Sequence, residues 1–80
     1  MTSPNTLASL ADGQSARITE LYIEGIMRRR LLDLGFTAGA FITCLQHSAS
    51  GDPAAYLIRG TVIALREEDS RRIAVTDQSC

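Results

Sequence analysis

The sequence predicts a mainly β fold, with about five short strands and one short α-helix wound into a small barrel. Three observations carry this expectation. Apolar and polar residues alternate in several runs bounded by turn residues, the pattern of half-buried strands. One stretch alone, residues 24–34, changes to a helical period. The chain has 80 residues, enough for one core and not two, so the short strands must share it. A closed sheet also removes the edges that a small open sheet would expose.

Asp12-Gly13 is a turn dipeptide. Beyond it Ala16 and Ile18 alternate with Gln14, Ser15, Arg17 and Thr19, which makes 14–21 the first strand. Over 24–34, at 100° per residue, Met27, Leu31 and Leu34 share one arc, with Arg28, Arg29 and Asp33 across from it. Gly35 follows, where a left-handed helix cap is easiest without a Cβ. Thr37-Ala38-Gly39 turns into a strand over 41–46, with Ile42 and Cys44 on one side and Phe41, Thr43 and Leu45 on the other, the composition of a strand buried on both faces. Residues 48–53 gather turn formers, and 54–59 and 61–66 make two further strands bent at Gly60. The polar segment 66–71 suits a single helical turn, and Ile73 and Val75 mark a closing strand. The expected core is Ile18, Leu31, Leu34, Ile42, Cys44, Ile63, Leu65, Ile73 and Val75. Residues 1–80 are read as one domain, with 1–6 a loose lead and 77–80 a loose tail.

Composition narrows the function. At 45% hydrophobic and 21% charged, the chain is too apolar for a disordered one. All eight basic residues are arginine, and nine acidic ones bring the formal charge to −1, which leaves no surplus field for nucleic acid or anionic lipid. Without lysine there is neither a P-loop nor Schiff-base chemistry. His47 is the one histidine, and no nucleophile elbow lies near it, so the chain is expected not to be an enzyme. The longest apolar run, Ala54–Ile58, is far short of the ~20 residues of a membrane helix. The start has no signal-peptide pattern, and two cysteines make no disulfide framework, so a reducing cytoplasm is the expected compartment.

Arg30-Leu31-Leu32-Asp33-Leu34-Gly35-Phe36, then Gly39, Gly51-Asp52-Pro53, Gly60 and Ile63-Ala64-Leu65-Arg66 occur in that order and together resemble the FeoA family over nearly the whole chain. The resemblance implies an SH3-like barrel of the bacterial cytoplasm. It also implies a partner, the FeoB transporter, whose cytoplasmic region binds guanine nucleotide, and a part in ferrous iron uptake. A chain without lysine or P-loop is not the nucleotidase of such a system, so an adaptor or regulator that acts by binding is the consistent role.

Four residues are candidates for that contact: Arg28, Arg29, Leu32 and Leu57. The run Arg28-Arg29-Arg30 offers positive charge to an acidic partner. It is equally an ordinary solvated face, with Arg29 and Arg30 at helical spacing from Asp33. Leu32 points between Arg28 and Arg29, away from the stripe, and an apolar residue there is either incidental or a contact. Leu57, outward by parity from Tyr56 and Ile58, is its candidate neighbour. No metal ligand and no cofactor are expected. Cys44 and His47 have odd spacing, which sends them to opposite faces of a regular strand, and a bulge would be needed to bring them together. Asp52, before Pro53, is expected to accept from nearby backbone N–H groups. Cys80 is read as a plain terminal thiol.

Two other classes compete with this reading. Similar SH3-like modules end some iron-dependent repressors, as metal-responsive domains behind a helix-turn-helix; here only about a dozen residues precede the first strand. A nucleic-acid-binding barrel needs a stacking platform and a basic groove. Two Tyr, two Phe and a charge of −1 supply neither.

Overall fold

The structure is a computed structural model and describes residues 5–77, so Cys80 and most of the expected lead and tail lie outside the described residues. The elements are β1 (Asn5–Thr6), a 3₁₀ turn (Leu7–Ser9), β2 (Ser15–Leu21), α1 (Ile26–Asp33), β3 (Phe41–His47), β4 (Ala54–Ile58), β5 (Thr61–Leu65), α2 (Glu67–Ser70) and β6 (Ile73–Asp77). One antiparallel sheet holds every strand, in the order β1-β6-β2-β3-β4-β5. Five strands carry the core, as the sequence predicts. The sixth, β1, is two residues from the expected lead that pair with Val75 and Ala74, too short to show a period.

The sheet curls round one core but is not closed by hydrogen bonds: among the described residues, no pairing joins β1 to β5. A barrel seam needs a staggered ladder, and two residues of β1 are too few to make one. Packing brings the ends together instead. α2 lies beside the 3₁₀ turn, Leu7 is fully buried, and Ser70 of α2 and Tyr56 of β4 are buried too. Asp52 fixes α2 from a distance, its Oδ1 accepting from the Glu67 N–H at 2.9 Å. The carboxylate thus serves the backbone as expected, but of a helix fifteen positions on rather than of its own turn.

The helix starts later and stops earlier than its period suggests. Gly25, at φ 77° and ψ −151°, has a backbone open in practice only to glycine, so the first helical residue is Ile26. At the other end Leu34 caps the helix and Gly35 takes φ 106°. The Gly35 N–H donates to the Leu32 carbonyl at 3.0 Å and the Phe36 N–H to the Leu31 carbonyl at 2.9 Å. That is a Schellman stop, in which the residue after the glycine packs on the third from last. Leu31 and Phe36 are therefore both buried, while Leu34, expected in the core, is 37% exposed. The helical period extrapolated one residue past the turn that ends it. Ile63 is likewise only half-buried. The other expected core residues are buried, joined by Leu7, Ala16, Tyr56 and Ile58.

A tight turn and two register slips shape the sheet, one slip lying on β2 against β6 between Ile18 and Glu20. β4 and β5 are joined by the two-residue turn Arg59-Gly60, with φ 50° and 78°, the positive pair that a type I′ hairpin requires. In β3 the register on β4 slips between Cys44 and Gln46, so Leu45 is the extra residue of a bulge. The bulge overturns the expected parity: Cys44 and His47 come to the same side. There the His47 ring meets the Asp12 carboxylate, Nδ1 to Oδ1 at 2.6 Å.

Leu31→Ala should cost about 2–5 kcal/mol in denaturant titration, and Leu34→Ala about 1 kcal/mol or less; equal losses would contradict the helix stop. A second expectation concerns alkali. Burial chiefly pushes the Tyr56 phenol above its ordinary value of 10.0, with the Ser70 hydroxyl drawing it partly back. The unfolded phenol therefore loses its proton first. Its contribution to stability is whole below about pH 10 and falls as pH rises toward the folded value. Tyr56→Phe should flatten that limb of a stability-against-pH curve, and an unchanged limb would place the alkaline loss elsewhere.

Candidate functional site

Among the described residues, half of the exposed large apolar side chains, Phe41, Leu45, Leu57 and Val62, stand on β3 to β5. Register brings two of them face to face. Thr43 faces Leu57, and Leu57 faces Val62, in one row across three strands. Ser15 extends the row on β2, sharing a 2.8 Å hydroxyl contact with Thr43. Beside this row Arg17 is opposite Phe41, its guanidinium carbon 5.4 Å from the ring centroid, a cation–π distance. The Arg17 Nη1 also donates to the Gly39 carbonyl at 2.9 Å, which holds the guanidinium at the rim.

A shallow groove runs there, lined by Arg17, Gly39, Phe41, Thr43, Leu57 and Arg59. Arg59 borders it because the type I′ turn places it there and because Gly35 leaves room: a Cβ on Gly35 would collide with the Arg59 side chain. The Arg59 Nε donates to the Gly35 carbonyl at 3.4 Å. An apolar floor of Phe41 and Leu57 between two arginines is a surface suited to an apolar residue flanked by carboxylates.

The other candidates are on α1 and do not line this groove. Arg29 is exposed beside Gly25 and Ile26, and Leu32 is 37% exposed. Among the described residues neither Arg29 nor Arg30 pairs with Asp33. Arg28 departs from the exposed position expected for it. It is half-buried, and its Nη1 donates to the Leu21 carbonyl at 2.9 Å and the Ile23 carbonyl at 3.5 Å. A helical side chain leans back toward the N-terminus, and the arginine stem is long enough to lie over the loop before α1. Arg28 thus clamps the helix to the end of β2. The sequence offers only Leu57 to this groove: the strand bearing Phe41 is expected to be buried on both faces, whereas Phe41 is 48% exposed, and strand register joins the two to Arg17 and Arg59.

A smaller cavity of about 200 Å³ lies between β4, β5 and α2, lined in part by His47, Asp52, Tyr56, Glu67 and Ser70. Near it, donor atoms of Asp12, Cys44 and His47 all lie within 4.8 Å of one another. Among the described residues this is the set of side chains able to hold a metal ion; sequence parity sets Cys44 apart from His47, and Asp12 reads in the sequence only as part of a turn.

A family model described as FeoA domain matches residues 5–77. A Fe(2+) transport protein A/Fe(2+) transporter FeoB fusion protein of Porphyromonas gingivalis is 36% identical over 69 residues, 86% of this chain. The chain spans only 8% of that relative's length. The FeoA protein of Chlorobium tepidum superposes with a TM-score of 0.89 at 31% identity, over 94% of this chain and 71% of that one. The FeoA of Stenotrophomonas maltophilia, solved with zinc and described as a prokaryotic SH3 domain protein, gives 0.77 at 28% identity, over 90% of this chain and 89% of that one. The SH3-like class expected from the sequence is the class observed.

Proposed function

Because the chain belongs to the FeoA domain family, we propose that it serves ferrous iron uptake as a non-catalytic accessory in the cytoplasm, binding the cytoplasmic region of a FeoB-type transporter. The observation that carries this reading is the Porphyromonas gingivalis relative, in which a transport protein A and a FeoB transporter form one chain. Fusion makes an encounter intramolecular and raises its effective concentration. The encounter itself needs a surface on this domain.

The groove between Arg17 and Arg59 is that surface. Phe41 and Leu57 provide apolar area that a partner side chain can desolvate, and arginines at the rim steer a partner of opposite charge and form bidentate pairs with its carboxylates. Leu32 and Arg29 form a second, smaller contact on α1. Arg28 supports this contact from beneath by fixing the helix.

Phe41→Glu and Leu57→Glu replace exposed side chains and should leave thermal unfolding nearly unchanged, since surface changes usually stay within about 0.5 kcal/mol. Each should abolish pull-down of the transporter's cytoplasmic region and growth on limiting ferrous iron, because the new charge is buried at the contact without a partner. Leu32→Glu should weaken both partially. If both groove variants bind as well as the native protein, the groove is not the interface. If Leu32→Glu alone abolishes binding, the contact belongs to α1.

A further inference from the structure

Independently of the transporter reading, we propose that Asp12, Cys44 and His47 form a binding site for one divalent transition cation that accepts mixed sulfur, nitrogen and oxygen donors, Zn²⁺ foremost. Three separate pieces of backbone geometry bring the donors together. The β3 bulge turns Cys44 and His47 to one side. The Gly13 N–H donates to the Cys44 carbonyl at 2.6 Å and the Cys44 N–H to the Gln14 carbonyl at 2.9 Å, which seats the Asp12-Gly13 turn against β3. The His47 N–H then donates to Asp12 Oδ1 at 3.1 Å.

The spread of the donors suits one ion. With bonds of about 2.0–2.3 Å, tetrahedral ligand atoms stand roughly 3.5 Å apart, and these three lie within 4.8 Å of one another. The Asp12–His47 contact, at 2.6 Å, must open by about 1 Å to admit a cation at those bond lengths. Both side chains have the freedom to do so, being 61% and 32% exposed, while the buried Cys44 Sγ supplies a fixed third ligand. Thiolate, imidazole and carboxylate together favour Zn²⁺ and its neighbours over Mg²⁺ or Ca²⁺, and three protein ligands leave a fourth position for water or a partner's donor. Burial, and then the Asp12 carboxylate, push the Cys44 thiol up from its ordinary value. A cation set between the two takes the place of the thiol proton, which leaves to water.

The test uses the full chain with Cys80→Ser, so that any thiolate signal belongs to Cys44, and Co²⁺ as the probe. One equivalent should bring a thiolate-to-cobalt charge-transfer band in the near ultraviolet, with the visible absorption of a four-coordinate ion, and Zn²⁺ should displace it. The imidazole resonances of the single histidine should shift on adding Zn²⁺. Cys44→Ala should lose the charge-transfer band. Because that change lies in the core, Asp12→Asn and His47→Gln provide the decision if it unfolds. Each removes a direct ligand and should weaken Zn²⁺ binding in a chelator competition at least about 10-fold. Absence of the band in the Cys80→Ser protein, or Zn²⁺ affinity unchanged in both Asp12→Asn and His47→Gln, would overturn the site and leave the Asp12–His47 pair as a latch for the turn.

Discussion

The helix stop at Leu31, Gly35 and Phe36 is the constraint on which the rest of the molecule depends. It satisfies two terminal carbonyls, sends Leu31 and Phe36 into the core, and turns the chain toward β3 within a few residues. The same glycine lies beneath Arg59, so the turn that ends the helix also opens the space in which one rim of the groove rests. Arg28 acts at the opposite end of α1 by holding the carbonyls of Leu21 and Ile23. A two-turn helix is marginal by itself; here it is fixed at both ends by contacts with the sheet, and the surface next to it inherits that rigidity.

Much of the fold was legible in the sequence because it rests on local rules. Two-residue alternation marked β2 and β6, short apolar runs between turn residues marked β3 to β5, and Asp12-Gly13, Gly35 and Gly60 marked the reversals. What local rules left out were register and ends. Leu34 looked like the third member of a stripe because a 100° period does not contain its own stop. The positive φ of Gly35 decides the stop, and Phe36 takes the place in the core. β1 has no period to read, and its two pairs appear only once β6 is in position.

The candidate surface was legible by halves for the same reason. Outward parity picked out Leu57, but its neighbours across the sheet depend on which residues face each other, and that is a property of pairing rather than of spacing. Arg28 was misplaced because helical phase describes where a Cα faces, not where a long side chain ends. The approach of Cys44 to His47 failed under strict alternation for a definite cause: one extra residue, Leu45, reverses the face of everything after it. A bulge next to a turn is a place where sheets often aim side chains that a regular strand would separate.

The sheet's strand order has a consequence for how the protein comes into being. Ile18 and Leu21 on β2 face Val75 and Ile73 on β6, and β1 pairs with the same last strand. A chain emerging from the ribosome can therefore form the β3–β4–β5 meander early, from neighbours in sequence, while the apolar side of β2 waits uncovered until β6 has been made. Such contacts between distant parts of the chain carry the largest loop-closure entropy and form late. Completion of this fold thus waits for its last strand, and during synthesis it is β2, not β6, that is exposed to chaperones or to wrong partners.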